Sequence, residues 1–163
     1  MIYYKQETGY TCGPACCRMI LAKFGIEETE QVLVRVLEAK YNEGTGYDAM
    51  FKFADKYNLN VLQGQDDKDL DKLQQLVNDG WGVIIAYSLD VPHYSIFIGH
   101  NGNHLFLMDP FRGERVAEHI KKFKHRWKVH PKDFWLVCQE FGLEFNDEMK
   151  SDGWWIAFKK RSE

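Results

Sequence analysis

The hydrophobic period of this chain changes once, near residue 80, and that change restricts the folds open to it. Before it, apolar residues recur at helical spacing in four segments. The first is Pro14 to Phe24, with Ala15, Met19, Ile20 and Phe24 inward, Pro14 at the first helical position and Gly25 as its stop. Thr29 to Lys40, Tyr47 to Tyr57 and Lys68 to Asn78 follow, the third after the Gly44-Thr45-Gly46 turn. After the change, Trp81 to Ser88 (WGVIIAYS) is an apolar run of strand length. His93 to His100 alternates, with Tyr94, Ile96 and Ile98 on one side and His93, Ser95 and Phe97 on the other. An Asn101-Gly102-Asn103 turn then returns the chain through His104 to Asp109, and Phe134 to Glu140 and Trp154 to Lys159 are further strand candidates. Helices first and antiparallel strands afterwards predict an α+β domain.

The 163 residues, 45% of them hydrophobic and 15% aromatic, suffice for the core of a single domain spanning 1–163. Its helical half would cover about 1–80 and its sheet half about 81–163. A net charge of -3 argues against a nucleic-acid or anionic-membrane binder. No basic-then-apolar N-terminal run is present, and no stretch approaches the roughly 20 apolar residues that span a bilayer. Cys12, Cys16, Cys17 and Cys138 make a poor disulfide framework, because neighbours on one helix do not meet bridging geometry. A soluble protein in a reducing, cytoplasmic setting is the simplest expectation.

The stretch Gln6-Glu-Thr-Gly-Tyr-Thr-Cys12-Gly-Pro-Ala places a thiol where a structural helix start needs only a cap. A cysteine there faces the positive end of the helix dipole and unpaired backbone N–H groups, which favour the thiolate. Gly13 lets a substrate backbone approach, and the N–H of Cys12 can face an oxyanion. Cys16 and Cys17, inside the helix, read as packing residues. Their spacing with Cys12 matches no zinc signature.

A thiolate needs a proton partner, and of the six histidines only His93 opens a strand next to a proline on one side of an apolar alternation. Around the 101–103 turn, any even register puts His93 and Asp109 on one face, directly opposite or two residues diagonal, and an odd register separates them. Asp109 precedes Pro110, so it is equally a turn former.

Together these residues resemble the papain-like cysteine peptidases, and more closely the family that processes double-glycine leaders of bacteriocins, with its free-standing relatives. The likeness is carried by QETGYTCGPACCRMILAKFG at 6–25, HYSIFIG at 93–99, MDPFRG at 108–113 and the spaced Phe123 and Trp127. It implies a papain-like fold, with Cys12 as nucleophile, His93 as general base and then acid, and Asp109 orienting His93. It implies Gln6 as side-chain donor of the oxyanion hole, a peptide or protein substrate with small residues such as Gly-Gly before the scissile bond, and no cofactor or metal. The C-terminal DGWWIAFKKRSE extends past the family's usual end. Two other readings share the residues: an acyltransferase in which an amine or thiol replaces water, and a peptide-binding module without turnover. The basic, aromatic stretch from His119 to Lys132 reads as a solvated face with Phe123 and Trp127 anchored inward, and Asp66 to Asp69 as the capping run of the fourth helix.

Overall fold

The structure, a computed structural model, describes residues 1–128, 140–142 and 152–162. These residues form five helices and six strands: α1 (Cys12–Lys23), α2 (Glu30–Val36), α3 (Tyr47–Lys56), β1 (Leu59–Gly64), α4 (Leu70–Asn78), β2 (Gly82–Leu89), β3 (Val91–His100), β4 (His104–Asp109), β5 (Gly113–His119), α5 (Ile120–Arg126) and β6 (Trp155–Lys160). All pairings in the sheet are antiparallel, and its order is β1-β6-β2-β3-β4-β5. The fold is α+β and papain-like.

Strand alternation divides the core in two. Ile84, Ala86, Tyr94, Ile96, Met108, Ile156 and Phe158 join α1 and α3 in one buried cluster. Their neighbours Val83, Ile85, Tyr87, Phe97, Leu107 and Trp155 join α4, Phe123 and Trp127 in the other. The sheet is thus covered on both faces, which is why β2 reads as an unbroken apolar run. Helix α1 is buried along most of its length, Arg18 and Ala22 being among its partly exposed positions. It is the central helix of the first layer, and its lack of a polar stripe follows from that.

Several expected boundaries move for local reasons. Helix α1 starts at Cys12, so Pro14 lies within its first turn, where no intrahelical N–H bond is lost. Helix α2 stops at Val36 and not at Lys40, because Glu38 takes φ 51° and Lys40 bridges back to Gly44. Asp69 caps α4 by accepting from the N–H of Lys72 at 3.1 Å, as the acidic run predicts. Strands β1 and β5 and helix α5 were not foreseen. Both strands lie at the sheet's edges and expose neighbouring side chains, Leu62 with Gln63 and Glu114 with Arg115, so neither carries a clean period of two. In α5, Phe123 is buried and Trp127 follows at its C-cap, also buried, as the anchored reading requires.

The C-terminal DGWWIAFKKRSE carries the strand expected over Trp154 to Lys159, observed as β6 over Trp155–Lys160. Its strand β6 inserts between β1 and β2, sending Ile156 and Phe158 into one core and Trp155 and Ala157 into the other. The strand expected over 134–140 falls, except for residue 140, outside the described residues, as does Cys138.

Candidate active site

The site is assembled from α1, the N-terminal segment and the hairpin β3–β4. Cys12 is the first residue of α1 and is 8% exposed. The cap residue Thr11 makes no side-chain bond to the helix; its hydroxyl is held at 3.1 Å by the N–H of Thr8, which closes the loop before the thiol. Thr45 packs on the next residue so closely that a Cβ at Gly13 would stand 2.6 Å from its Oγ1, so only glycine fits there. Through Thr45 and its carbonyl, which accepts from the Tyr94 hydroxyl at 2.8 Å, the 44–46 turn is fixed beside the start of α1.

On β3, His93 is 7% exposed, and the Cys12 side chain is among the groups that act on its imidazole. Its Nε2 lies 2.9 Å from Asp109 Oδ1. With Nε2 committed to the carboxylate, Nδ1 is the ring nitrogen left for the thiol. The Tyr87 ring meets the imidazole edge-on at 5.5 Å.

A β-bulge makes this alignment possible. Near the turn, His100 pairs with Leu105 and Gly99 with Phe106; past the bulge, Phe97 pairs with Leu107 and Ile96 with Met108. One further step brings Ser95 opposite Asp109 and leaves His93 two residues along, on the same face. Had the turn-proximal register continued, Ile96 would oppose Asp109 and His93 would point to the other face. The extra residue converts an odd register into the even one, and Gly99 at φ 150° supplies backbone that other residues rarely adopt.

Asp109 is fully buried and densely bonded. Oδ1 accepts from His93 and from the N–H groups of Phe111 and Arg112 at 2.9 and 3.0 Å. Oδ2 accepts from the Tyr87 hydroxyl at 2.8 Å and Arg112 Nε at 2.6 Å. The turn-forming role and the His93 contact therefore coexist, one carboxylate oxygen serving both. Burial opposes the charge on Asp109, but the His93 and Arg112 bonds outweigh it and hold the carboxyl well below its usual range. Burial likewise works against protonation of His93; the bond to Asp109 and the Cys12 side chain overcome it and raise the imidazole to about 9.

Gln6 sits beside this turn, its N–H donating to the Pro110 carbonyl at 2.9 Å. Its side-chain nitrogen donates to the Thr8 carbonyl at 2.7 Å, while Oε1 is buried without a partner among the described residues. Gln6 is thus tied to the segment bearing Asp109, with one amide N–H spent on its own loop and one remaining. Cys16 and Cys17 are fully buried, and burial pushes both thiols up. Cys17 contacts the Met50 sulfur at 3.7 Å, a packing role. His100 pairs with Asp71, and the rings of His104 and His119 meet across β4 and β5.

Tyr87, Ser95, Arg112 and Glu118 belong to the site's hydrogen-bonded framework and were not singled out from sequence. Tyr87 is hidden in an apolar run, and the only trace of Arg112 is its place in MDPFRG. Among the described residues, no three His, Cys, Asp or Glu side chains are grouped to hold a metal ion, and no helix is long and apolar enough to cross a membrane.

The model of the Peptidase_C39 like family matches residues 1–132. Among solved structures, a C39-like peptidase from Bacillus anthracis aligns with a TM-score of 0.70 at 16% identity, over 99% of this chain and 96% of that one. The peptidase domain of Streptococcus ComA, a bifunctional ABC transporter of a quorum-sensing pathway, aligns at 0.68 and 15% identity over 97% of both chains. A double-glycine motif protease from an AMS/PCAT transporter, solved with its leader peptide, aligns at 0.68 and 16% identity over 98% of this chain and 91% of that one. No curated protein matches the chain in sequence.

Proposed function

This chain belongs to the Peptidase_C39 like family, and on that footing we propose that it is a cysteine peptidase, its 163 residues acting as one domain. The observation that carries the reading is the 2.9 Å contact of His93 Nε2 with the buried Asp109, in an imidazole on which the Cys12 side chain also acts. Cys12 Sγ attacks the scissile carbonyl carbon and His93 holds the thiol proton on Nδ1. The oxyanion is met by the Cys12 N–H and the free amide N–H of Gln6. Collapse breaks the C–N bond, the imidazolium gives its proton to the leaving amine, and a thioester remains. Water, deprotonated by His93, hydrolyses the thioester and frees Cys12. Asp109 orients the ring and stabilises the imidazolium without taking its proton.

The substrate class is a peptide with small residues, such as Gly-Gly, before the scissile bond; its support is the likeness to a double-glycine motif protease solved with a leader peptide. The described cysteines are free thiols, which suits a reducing, cytoplasmic compartment.

The test has two parts. Peptides bearing internal Gly-Gly are incubated with the protein and with Cys12→Ala, and products are identified by mass, with and without added amines. Cleavage lost in the variant supports the peptidase; amine adducts in place of acids would make it an acyltransferase. Iodoacetamide labelling of Cys12 below pH 7 is then compared between the natural chain and His93→Ala. Labelling like that of an ordinary thiol, with a pKa near about 8.5, and no cleavage would leave a peptide-binding module. Cys16 and Cys17 are buried, so a small free thiol is the proper reference.

A further inference from the structure

We infer that Arg112 is a positioning residue of the triad: its guanidinium shares the Asp109 carboxylate with His93 and so limits how tightly the imidazole holds its proton. The inference rests on the peptidase reading of the site. Arg112 Nε donates to Asp109 Oδ2, its Nη2 donates to the Tyr87 hydroxyl at 2.8 Å, and its Nη1 donates to Glu118 Oε1 at 2.5 Å. Glu118 is itself held by Arg126 at 2.7 Å, so the guanidinium is braced from α5. Tyr87 donates its only proton to Asp109, so its hydroxyl accepts from both Arg112 and Ser95 Oγ, at 2.8 and 3.0 Å. One carboxylate thus has a cation on each oxygen: His93 on Oδ1 and Arg112 on Oδ2.

This pairing has a chemical consequence. A buried carboxylate with His93 as its sole cation would bind the imidazolium so strongly that proton transfer to a leaving amine, or uptake from water, would be uphill. A second, permanent cation on the far oxygen neutralises part of that field and repels the imidazolium, while keeping Asp109 ionised in a buried place. Arg112 is not required to hold the carboxylate in position, since Tyr87 and the backbone N–H groups of Phe111 and Arg112 remain. Its removal should therefore act through charge. The other groups facing the pair are Cys12 and Cys16 from α1, Tyr3 from the N-terminal segment, whose hydroxyl donates to the Asp109 carbonyl, and Glu118 on β5. The charge of Glu118 stays paired with Arg126 when Arg112 is gone.

The test is a side-chain nitrogen NMR titration of His93 in the uniformly labelled protein, assigned with His93→Gln. In the natural chain the imidazolium should persist to about pH 9. Arg112→Gln should raise that midpoint by about one pH unit, and Arg112→Lys should bring it most of the way back. A midpoint that stays put or falls in Arg112→Gln, in a protein that still melts cooperatively, overturns the inference and makes Arg112 a structural brace. If Arg112→Gln does not fold, Glu118→Gln gives the second reading: it frees Arg112 to bear on Asp109 alone and should lower the midpoint, and no change there overturns the inference. Failure of the peptidase reading looks different: His93 in the natural chain would titrate near about 6.5 with Cys12 an ordinary thiol.

Discussion

His93 Nε2 stands 2.9 Å from Asp109 Oδ1 because β3 carries one residue more than β4 between the turn and Phe97. Neither residue type nor loop length produces that contact. The turn pairs His100 with Leu105, a register in which His93 and Asp109 occupy opposite faces, and the bulge before Gly99 reverses it. The proposed base and its orienting acid are therefore joined by a backbone irregularity at the far end of the hairpin.

Substitution of Gly99 tests that dependence. Gly99→Val forces a β-branched residue to φ 150° and pushes a Cβ to 3.0 Å from Gln74 Oε1. A stability loss of about 1–3 kcal/mol is expected, read by urea denaturation. The folded fraction should also lose part of its low-pH Cys12 labelling, because the strain is relieved by moving the register. Normal labelling in a merely destabilised variant would show that the bulge survives without glycine.

Cys12→Ala should abolish turnover and leave the fold in place. The thiol is nearly buried but small, so the unfolding free energy should fall by no more than about 1 kcal/mol. Peptide cleavage above background in this variant would reassign the nucleophile.

Asp109→Asn is expected to act on rate and on stability together. The Asn amide turns an N–H₂ toward donors on Tyr87, Arg112 or His93, leaving a buried cation without its anion. A cost of about 3 kcal/mol and a kcat lowered by roughly 10² to 10⁴ with KM little changed are the expected outcomes. A change confined to KM would make Asp109 a substrate contact.

Stability should depend on pH through His93. Its folded value, about 9, lies above the unfolded value near about 6.5, so the native state holds the proton more tightly. The resulting stabilisation is fully present below about 6.5, declines as pH rises, and is lost through about 9. Melting temperatures from pH 6 to 10 should fall more steeply in the natural chain than in His93→Gln. Asp109 acts in the opposite sense, its contribution being lost as pH falls below the ordinary carboxylate range. Parallel profiles for the two proteins would exclude a raised imidazole.

Removal of residues 153–163 should prevent cooperative folding, since β6 lies between β1 and β2 and fills both cores. Circular dichroism melts distinguish this from the loss of a dispensable tail, which would leave a sharp transition.

The sequence by itself determined the elements with strong periods and the residues at their ends. Helices α3 and α4 and strands β3 and β4 have their apolar faces written at periods of 3.6 or 2, and α1 and β2 are apolar along most of their length, so burial alone selects them. Cys12 at a helix start, and His93 and Asp109 at the open ends of a hairpin, follow from the same local rules. Tertiary structure decided what those rules do not reach. Edge strands β1 and β5 exist because a partner offers its backbone groups, a non-local cause that leaves little pattern in their side chains. Strand β6 lies inside the sheet, next to the edge strand β1, through pairing with residues more than sixty positions away. The bulge in β3 is a feature of strand pairing, and it sets the faces of His93 and Asp109. Tyr87 and Arg112 reach Asp109 from a buried strand and a turn, and only the folded chain brings their hydroxyl and guanidinium to one carboxylate oxygen.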